Sequence, residues 1–123
     1  MANPGDPREP ESFLPLKPAV FHILLVLAAS DSHGYGVIQA VREASERRIR
    51  LDTGSFYRHL RKLIADGLVE EATDRPSNDD PRRGAYYAAT GLGRRVLAAE
   101  RARLTRLLTT TDELDILGDR GAV

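Results

Sequence analysis

The sequence predicts a mostly α-helical fold with a small β-hairpin, and three observations lead to it. Apolar residues recur at helical spacing in four segments, which clusters of turn and capping residues separate. The period changes to that of extended strands only after Gly67, in two short segments. The chain has 123 residues, enough for one domain that buries its own core. The predicted order is helix, helix, helix, strand, strand, helix.

No helix or strand is predicted for the N-terminal residues 1–12. They hold three prolines and more acids than bases, and they lack apolar periodicity. Such a composition buries too little apolar surface to offset the entropy of the chain. We therefore expect a disordered arm, followed by a domain over residues 13–90.

The first helix is predicted over residues 18–29 and is apolar on nearly every side. Pro18 suits its first turn, where a missing N–H costs nothing. A helix of this kind must be enclosed all round, and so short a chain has too few elements to cover it. The pattern therefore predicts contact with a second subunit.

The second and third helices are predicted close together in the chain. Residues 30–34 are rich in residues that cap or break helices and predict a turn. A helix over residues 35–45 follows. The third helix is predicted to begin after Thr53, as its N-cap, and to end before Gly67.

The third helix carries an apolar stripe and a basic side. At about 100° per residue, Phe56, Leu60 and Leu63 share the stripe. The opposite side holds Ser55, Arg58, Arg61 and Lys62. Taken alone, such a side is most often only solvated. The small residues from Thr53 to Ser55 favour a function, because they let backbone N–H groups and the positive helix end approach a phosphate. A helix of this diameter also fits the major groove of DNA.

Two strands and a last helix complete the predicted fold. The strands cover residues 68–73 and 85–89, and a polar hairpin tip over 74–84 joins them. Thr90 is the predicted N-cap of a fourth helix, to which we assign residues 91–111, and an acidic tail over 112–123 follows. This order is that of a winged helix-turn-helix with one helix appended.

The fourth helix has an apolar arc too broad for a single packing partner. Leu92 and Val96 lie on one side, and a second apolar group is turned from them by about a quarter of a circle. A plain core helix is the alternative, but no other element remains to cover the second group. We therefore expect a C-terminal dimerisation helix. The predicted dimer interface comprises Phe21, Leu24, Leu97, Leu104 and Leu108.

The formal net charge is zero, but the charges are segregated along the chain. Residues 42–62 hold seven bases against three acids, and residues 112–123 hold four acids against one base. A basic middle can bind phosphate while the whole molecule titrates as neutral. The net charge of zero leaves a second interpretation open: this winged helix could be a protein–protein interaction module that does not read DNA.

The composition argues against several classes of protein. The chain has no cysteine, which excludes a disulfide scaffold, a thiolate metal site and a cysteine nucleophile. The three histidines lack metal-ligand spacing, and no glycine-rich phosphate loop occurs. No segment reaches the ~20 apolar residues of a membrane span, and no basic stretch opens a signal peptide. We expect a cytoplasmic protein that is not an enzyme, with no catalytic residue, metal or cofactor.

Several motifs, taken in order, resemble the PadR family of bacterial regulators. They are Gly-Tyr-Gly-Val at 34–37, Thr-Gly-Ser-Phe-Tyr-Arg-His-Leu-Arg-Lys-Leu at 53–63, Asp-Gly-Leu-Val at 66–69, Arg-Gly-Ala-Tyr-Tyr at 83–87 and Thr-Gly-Leu-Gly at 90–93. Each piece is a weak signal, but their order and spacing together are specific. The resemblance covers most of the chain, about residues 14–108. Related winged helices such as the MarR group lack this combination.

The resemblance implies a homodimeric regulator, usually a repressor, that binds a palindromic operator in double-stranded DNA. Helix three would lie in the major groove with the hairpin, or wing, beside it. The positions that match the family's recognition helix are Ser55, Tyr57, Arg58 and Arg61. Tyr35 matches a tyrosine near the DNA backbone, and Arg82 and Arg83 match basic wing positions. With Thr53 and Lys62 these are the candidate DNA contacts, although Tyr35 and Tyr57 are equally well explained as packing residues.

A small-molecule effector stays an open expectation. Some members of the family hold flat drugs between tryptophans at the dimer interface, and this chain has no tryptophan. An effector could still bind between the first helices of a dimer, where Phe21 would be the aromatic wall.

Overall fold

The computed structural model describes residues 8–72 and 84–114. Its elements are a 3-10 helix Pro10–Phe13, α1 Pro18–Ala29, β1 Ser32–His33, α2 Gly34–Ala44, α3 Thr53–Ala65, β2 Val69–Glu71, β3 Tyr86–Ala89 and α4 Gly91–Glu113. The predicted fold class is confirmed: a mostly α-helical winged helix with one C-terminal helix. The hairpin tip over 74–83 and the tail from 115 onward lie outside the described residues.

The sheet has three antiparallel strands in the order β1-β3-β2. The predicted hairpin is β2 and β3, with Val69 opposite Ala89. The third strand, β1, pairs Ser32 with Tyr87 and lies in the segment predicted as a turn, so that prediction is wrong for these two residues. A strand of two residues is too short to show an alternating pattern, which explains why the sequence does not signal it.

The core lies where the four α-helices meet the sheet. α1 contributes Ile23, Leu24 and Leu27, each fully buried, while Leu25 is 43% exposed. The other large buried side chains include Val37, Val41, Phe56, Leu60, Leu92 and Val96. The apolar stripe predicted for α3 is therefore the side that faces the core, and the opposite side of the helix faces outward.

The caps of the helices explain where they begin and end. The predicted cap Thr90 is confirmed, since its Oγ1 accepts a hydrogen bond from the Gly93 amide at 3.0 Å. The cap predicted for α3 is wrong: Asp52, not Thr53, accepts the Ser55 amide at 2.7 Å. Both residue types cap helices well, and Asp52 is the one with extended backbone. α3 ends before Gly67, whose φ of 80° suits glycine.

The folded part of the chain begins earlier in the sequence than predicted. Residues 10–12, assigned to a disordered arm, belong to the 3-10 helix. The segment is anchored to α4, because the Leu16 amide donates to Glu100 Oε2 at 2.9 Å. Phe13 also packs on the core. The first seven residues of the predicted arm lie outside the described part of the chain.

α4 is slightly longer than predicted, since it ends at Glu113 and includes the first two residues of the predicted acidic tail. Its start packs closely on the sheet: a Cβ at Gly93 would collide with the Leu68 carbonyl oxygen. Among the helices within residues 8–72 and 84–114, none has the length and apolar character needed to cross a membrane.

Candidate nucleic-acid interface

α3 presents a basic surface on the side away from the core. Phe56 is fully buried and Leu60 and Leu63 nearly so, which holds the helix in one rotational position. Arg58 and Arg61 are consequently exposed. Two guanidinium groups on one exposed side of a helix can donate in-plane hydrogen bonds to base edges or to phosphates.

The first turn of α3 lies next to these arginines. Thr53 is exposed and Ser55 is half-buried. The Asp52 carboxylate accepts the Ser55 amide, so one of the free N–H groups of this helix end is already satisfied. The Ser55 and Thr53 hydroxyls remain the polar side-chain groups of this turn.

Tyr57 joins α3 to α2 and to the base of the hairpin. It is half-buried, and its ring meets Phe56 edge-on with centroids 4.9 Å apart. A Cβ on Gly34 would lie 2.5 Å from the Tyr57 hydroxyl oxygen, so the ring fits only because residue 34 is glycine. Burial raises the pKa of Tyr87 on β3, and the neighbouring Tyr57 and Glu71 raise it further. Tyr57 is thus a packing residue with its hydroxyl at the junction of α2, α3 and β3.

Tyr35 has a different environment. It lies in the first turn of α2, one residue after Gly34, and is 67% exposed. Most of its ring and hydroxyl surface is therefore accessible to a partner.

Lys62 and His59 contribute little to the positive charge of α3. The Lys62 ammonium lies 3.3 Å from the Asp66 carboxylate one helical turn later. The pKa of His59 is lowered by burial and by the nearby charges of Lys17 and Arg58, which favours the neutral imidazole at neutral pH. The positive potential of α3 therefore comes mainly from Arg58 and Arg61.

The predicted wing contacts Arg82 and Arg83 lie outside the described residues. The structure describes only the base of the hairpin, where the rings of His33 and Tyr86 meet edge-on at 5.4 Å. This contact joins β1 and β3 immediately before α2.

A group of arginines that sequence reasoning did not select lies just before α3. Arg42, Arg47 and Arg50 line a polar hollow of about 350 Å³ beside Asp52. The sequence counts them in its basic stretch, but their convergence depends on the path of the α2–α3 connection, which has no periodic signal.

An apolar groove runs between α1 and α4 on another side of the molecule. Its volume is about 350 Å³, and Phe21, Leu97, Leu104 and Leu108 of the predicted interface line it. Leu24, predicted for the same interface, is instead fully buried in the chain's own core. Its neighbour Leu25 faces the groove. We call this surface the α1–α4 groove.

Within the described residues, no three His, Asp or Glu side chains lie together in a group that could hold a metal ion. The geometry is that of a binding surface: an exposed basic side of α3, an exposed aromatic side chain at the start of α2 and the base of a hairpin. The fold and this surface together define the class of winged helix-turn-helix DNA-binding proteins.

Comparison with known families agrees and is more specific. Residues 23–99 match the family described as the transcriptional regulator PadR-like family. This match covers more than half of the chain, so the protein belongs to the PadR-like family, as its motifs predict. No curated protein is similar in sequence at a significant level.

Solved structures show the same fold. A PadR-like transcription factor from Bacteroides fragilis is 25% identical, with a TM-score of 0.62 over 77% of this chain and 87% of that one. A PadR family transcription regulator from Clostridium difficile is 20% identical, with a TM-score of 0.64 over 80% and 98%. RosR from H. salinarum is 22% identical, with a TM-score of 0.60 over 90% and 99%. The protein is a DNA-binding transcription regulator, a class that acts by binding and not by catalysis.

Proposed function

We propose that this regulator binds a palindromic operator as a homodimer and represses transcription in the cytoplasm. The observation that carries the proposal is the exposure of Arg58 and Arg61 on the side of α3 opposite its buried stripe. These groups project away from the core, where a major groove could receive them. Repression follows physically when a bound dimer occludes the DNA that the transcription machinery must occupy.

The DNA contacts divide into two kinds. Arg58 and Arg61, with Ser55 near the start of α3, are the proposed contacts to base edges, which carry sequence information. Thr53, Tyr35 and Lys62 are the proposed contacts to the DNA backbone. Tyr57 supports α3 from the side and contributes at most its hydroxyl. Arg82 and Arg83 stay proposed backbone contacts of the wing.

The proposed dimer forms through the α1–α4 groove. Leu104 is 37% exposed and Leu108 is 67% exposed, and Leu25 faces the same groove. A contiguous apolar surface of this kind is a marker of an interface in a folded protein. A second copy would bring an identical groove, so that each α4 covers apolar side chains of the other chain. Paired α3 helices would then match two half-sites of a palindrome.

The proposed site of a small-molecule effector is the α1 side of this groove, between the first helices of the two copies. Phe21 supplies an aromatic wall, and Arg94 and Arg101 supply positive charge at its edge. The mainly apolar lining with two arginines suits a compact, mainly apolar molecule with one acidic group. Binding there would change the separation of the two α3 helices and so release the operator.

Selection of bound fragments from random double-stranded DNA with the purified protein tests the proposal. Enrichment of a palindromic sequence is the expected result, and its occupancy should place a dimer on each site. The zero net charge favours the alternative, a module that binds another protein. Absence of any enriched sequence, together with a binding affinity for DNA that barely changes with salt, would support that alternative.

A further inference from the structure

We propose that the arginine hollow formed by Arg42, Arg47 and Arg50 binds backbone phosphates of the same DNA duplex that α3 reads. The inference rests on the proposed function, because it requires α3 to enter the major groove. It adds a phosphate-binding site that neither the motifs of the family nor the basic side of α3 contains. The proposal depends on the placement of the hollow, on its charge and on the backbone that builds it.

The hollow adjoins the end of α3 that would enter DNA. Its lining includes Leu51 and Asp52, and Asp52 is the N-cap of α3. The major groove is about 12 Å wide, and phosphate strands form both of its edges. A group of side chains directly before the first turn of a helix in that groove therefore meets one of those strands.

The charge of the hollow is positive and available. Three of its lining side chains are arginines, and the one acid, Asp52, already accepts the Ser55 amide. Across the described residues, none of the three guanidinium groups forms an ion pair or hydrogen bond. The nearby acids Glu43 and Glu46 are exposed and do not line the hollow. Unpaired guanidinium groups that converge on one space are suited to phosphate oxygens.

Hydrogen bonds close the backbone that carries these arginines. Ser45 is buried; its hydroxyl donates to the Arg42 carbonyl at 3.3 Å and accepts the Ile49 amide at 3.1 Å. The Arg47 amide donates to the Arg42 carbonyl at 2.8 Å. These bonds close the end of α2 and the turn that follows it, and Arg42, Arg47 and Arg50 line the same hollow.

The two residues that follow the C-cap of α2 have left-handed backbone. Glu46 and Arg47 have φ values of 55° and 65°, in the left-handed region where glycine is the usual residue. The Glu46 amide donates to the Glu43 carbonyl and the Arg47 amide donates to the Arg42 carbonyl, the pair of bonds with which many helices end in left-handed backbone. This end of α2 turns the chain so that Arg47 lies beside Arg42 and Arg50 in the lining of the hollow.

The test compares the salt dependence of binding to a DNA fragment selected by the wild-type protein. The variants are Arg42→Gln, Arg47→Gln and Arg50→Gln, each of which removes one charge and keeps much of the alkyl chain. The matched control is Arg106→Gln on α4, which removes one exposed charge far from the hollow along the chain. Circular dichroism and light scattering confirm that each variant is folded and has the wild-type oligomeric state.

For each hollow variant, the slope of log affinity against log salt concentration should become shallower by about 0.9 for every phosphate that the variant no longer neutralises. When two copies bind the same duplex, the change in slope should be twice as large. The affinity should fall by the same factor on selected and on scrambled DNA, because phosphates carry no sequence information. Arg106→Gln should leave the slope unchanged. Slopes for all three hollow variants that equal the slope of Arg106→Gln would overturn the proposal.

Two further results separate this proposal from others. If the wild-type protein selects DNA and Arg58→Ala weakens that binding while the hollow variants keep their slopes, the proposed function stands and only this inference fails. Inorganic phosphate, titrated against the free protein at constant ionic strength, should show no saturable binding. Saturable binding that Arg47→Gln abolishes, with an unchanged DNA slope, would instead assign the hollow to a free phosphate-bearing ligand.

Discussion

The Glu100 carboxylate on α4 accepts a hydrogen bond from the Leu16 backbone amide at 2.9 Å, across 84 positions of the chain. Glu100 is only 2% exposed, and its carboxylate is also bonded by Arg103 one turn later. A buried carboxylate is stable only when it is paired and hydrogen-bonded, and both conditions are met. The contact fastens the segment before α1 to the helix that we propose for dimerisation.

Replacement of Glu100 by alanine should lower the free energy of unfolding by about 1–3 kcal/mol, because the Leu16 amide loses its acceptor in a partly buried place. Urea unfolding followed by circular dichroism measures the change. Glu100→Gln keeps an acceptor oxygen and should lose less. Equal losses in both variants would mean that the negative charge, and not the hydrogen bond to Leu16, is what matters.

The same residue predicts a pH dependence of stability. The hydrogen bond from Arg103 lowers the pKa of Glu100, burial acts in the opposite direction, and the Leu16 amide lowers it further, with a net lowering. Since the pKa is lower in the folded than in the unfolded state, the stabilisation is complete above the ordinary glutamate pKa. It is lost as the pH falls through the lowered value. Urea unfolding at a series of acidic pH values should show a steeper loss for the wild type than for Glu100→Gln, and parallel curves would contradict the assignment.

The bounds of the helices could be predicted from the sequence because apolar spacing and caps act locally. α1 is predicted and observed at the same residues. The rotation of a helix is predictable only when one side is polar, as on α3, where the buried stripe with Phe56 is as expected. On α1 every side is apolar, so the apolar pattern does not show which side faces the core. This is why the sequence predicts Leu24 for the interface, whereas Leu25 lines the α1–α4 groove.

Features that depend on distant or aperiodic contacts could not be predicted in this way. β1 is a strand only because two residues meet the edge of β3. The order of residues 10–12 depends on the segment that Glu100 anchors through Leu16. The arginine hollow requires the left-handed backbone at Glu46 and Arg47, and neither residue type signals that conformation.

The groove predicts a difference between two leucines of α4. Leu104→Asp should convert the proposed dimer into monomers, because a carboxylate in an apolar interface is costly. Leu107 is the matched control: it is 49% exposed and does not line the α1–α4 groove, so Leu107→Asp should remain dimeric. Size-exclusion chromatography with light scattering measures both masses. A dimeric Leu104→Asp variant, or a monomeric Leu107→Asp variant, would place the interface on another side of α4.

The fit of Tyr57 against Gly34 predicts coupled substitutions. A Cβ at residue 34 would lie 2.5 Å from the Tyr57 hydroxyl oxygen and 3.2 Å from Phe56, so Gly34→Ala should destabilise the protein by about 1–3 kcal/mol through overpacking. Tyr57→Phe removes the nearest atom, and the double variant should recover part of the loss. A double-mutant cycle from urea unfolding gives the coupling free energy. Strict additivity would show that the hydroxyl is not the obstacle.

Operator binding should depend on Arg58 and Arg61 in a way that distinguishes base contacts from phosphate contacts. Replacement of either by alanine is expected to weaken binding by about 1–3 kcal/mol if it meets a base edge, while the dimer stays intact. Fluorescence anisotropy with the selected DNA and with fragments changed at one base pair measures the effect. Removal of a base contact abolishes the preference at one position of the site, whereas removal of a phosphate contact weakens binding to all fragments equally. Arg106→Ala is the control for the change in charge. If Arg58→Ala and Arg61→Ala bind as tightly as this control, the exposed side of α3 is excluded as the reading surface.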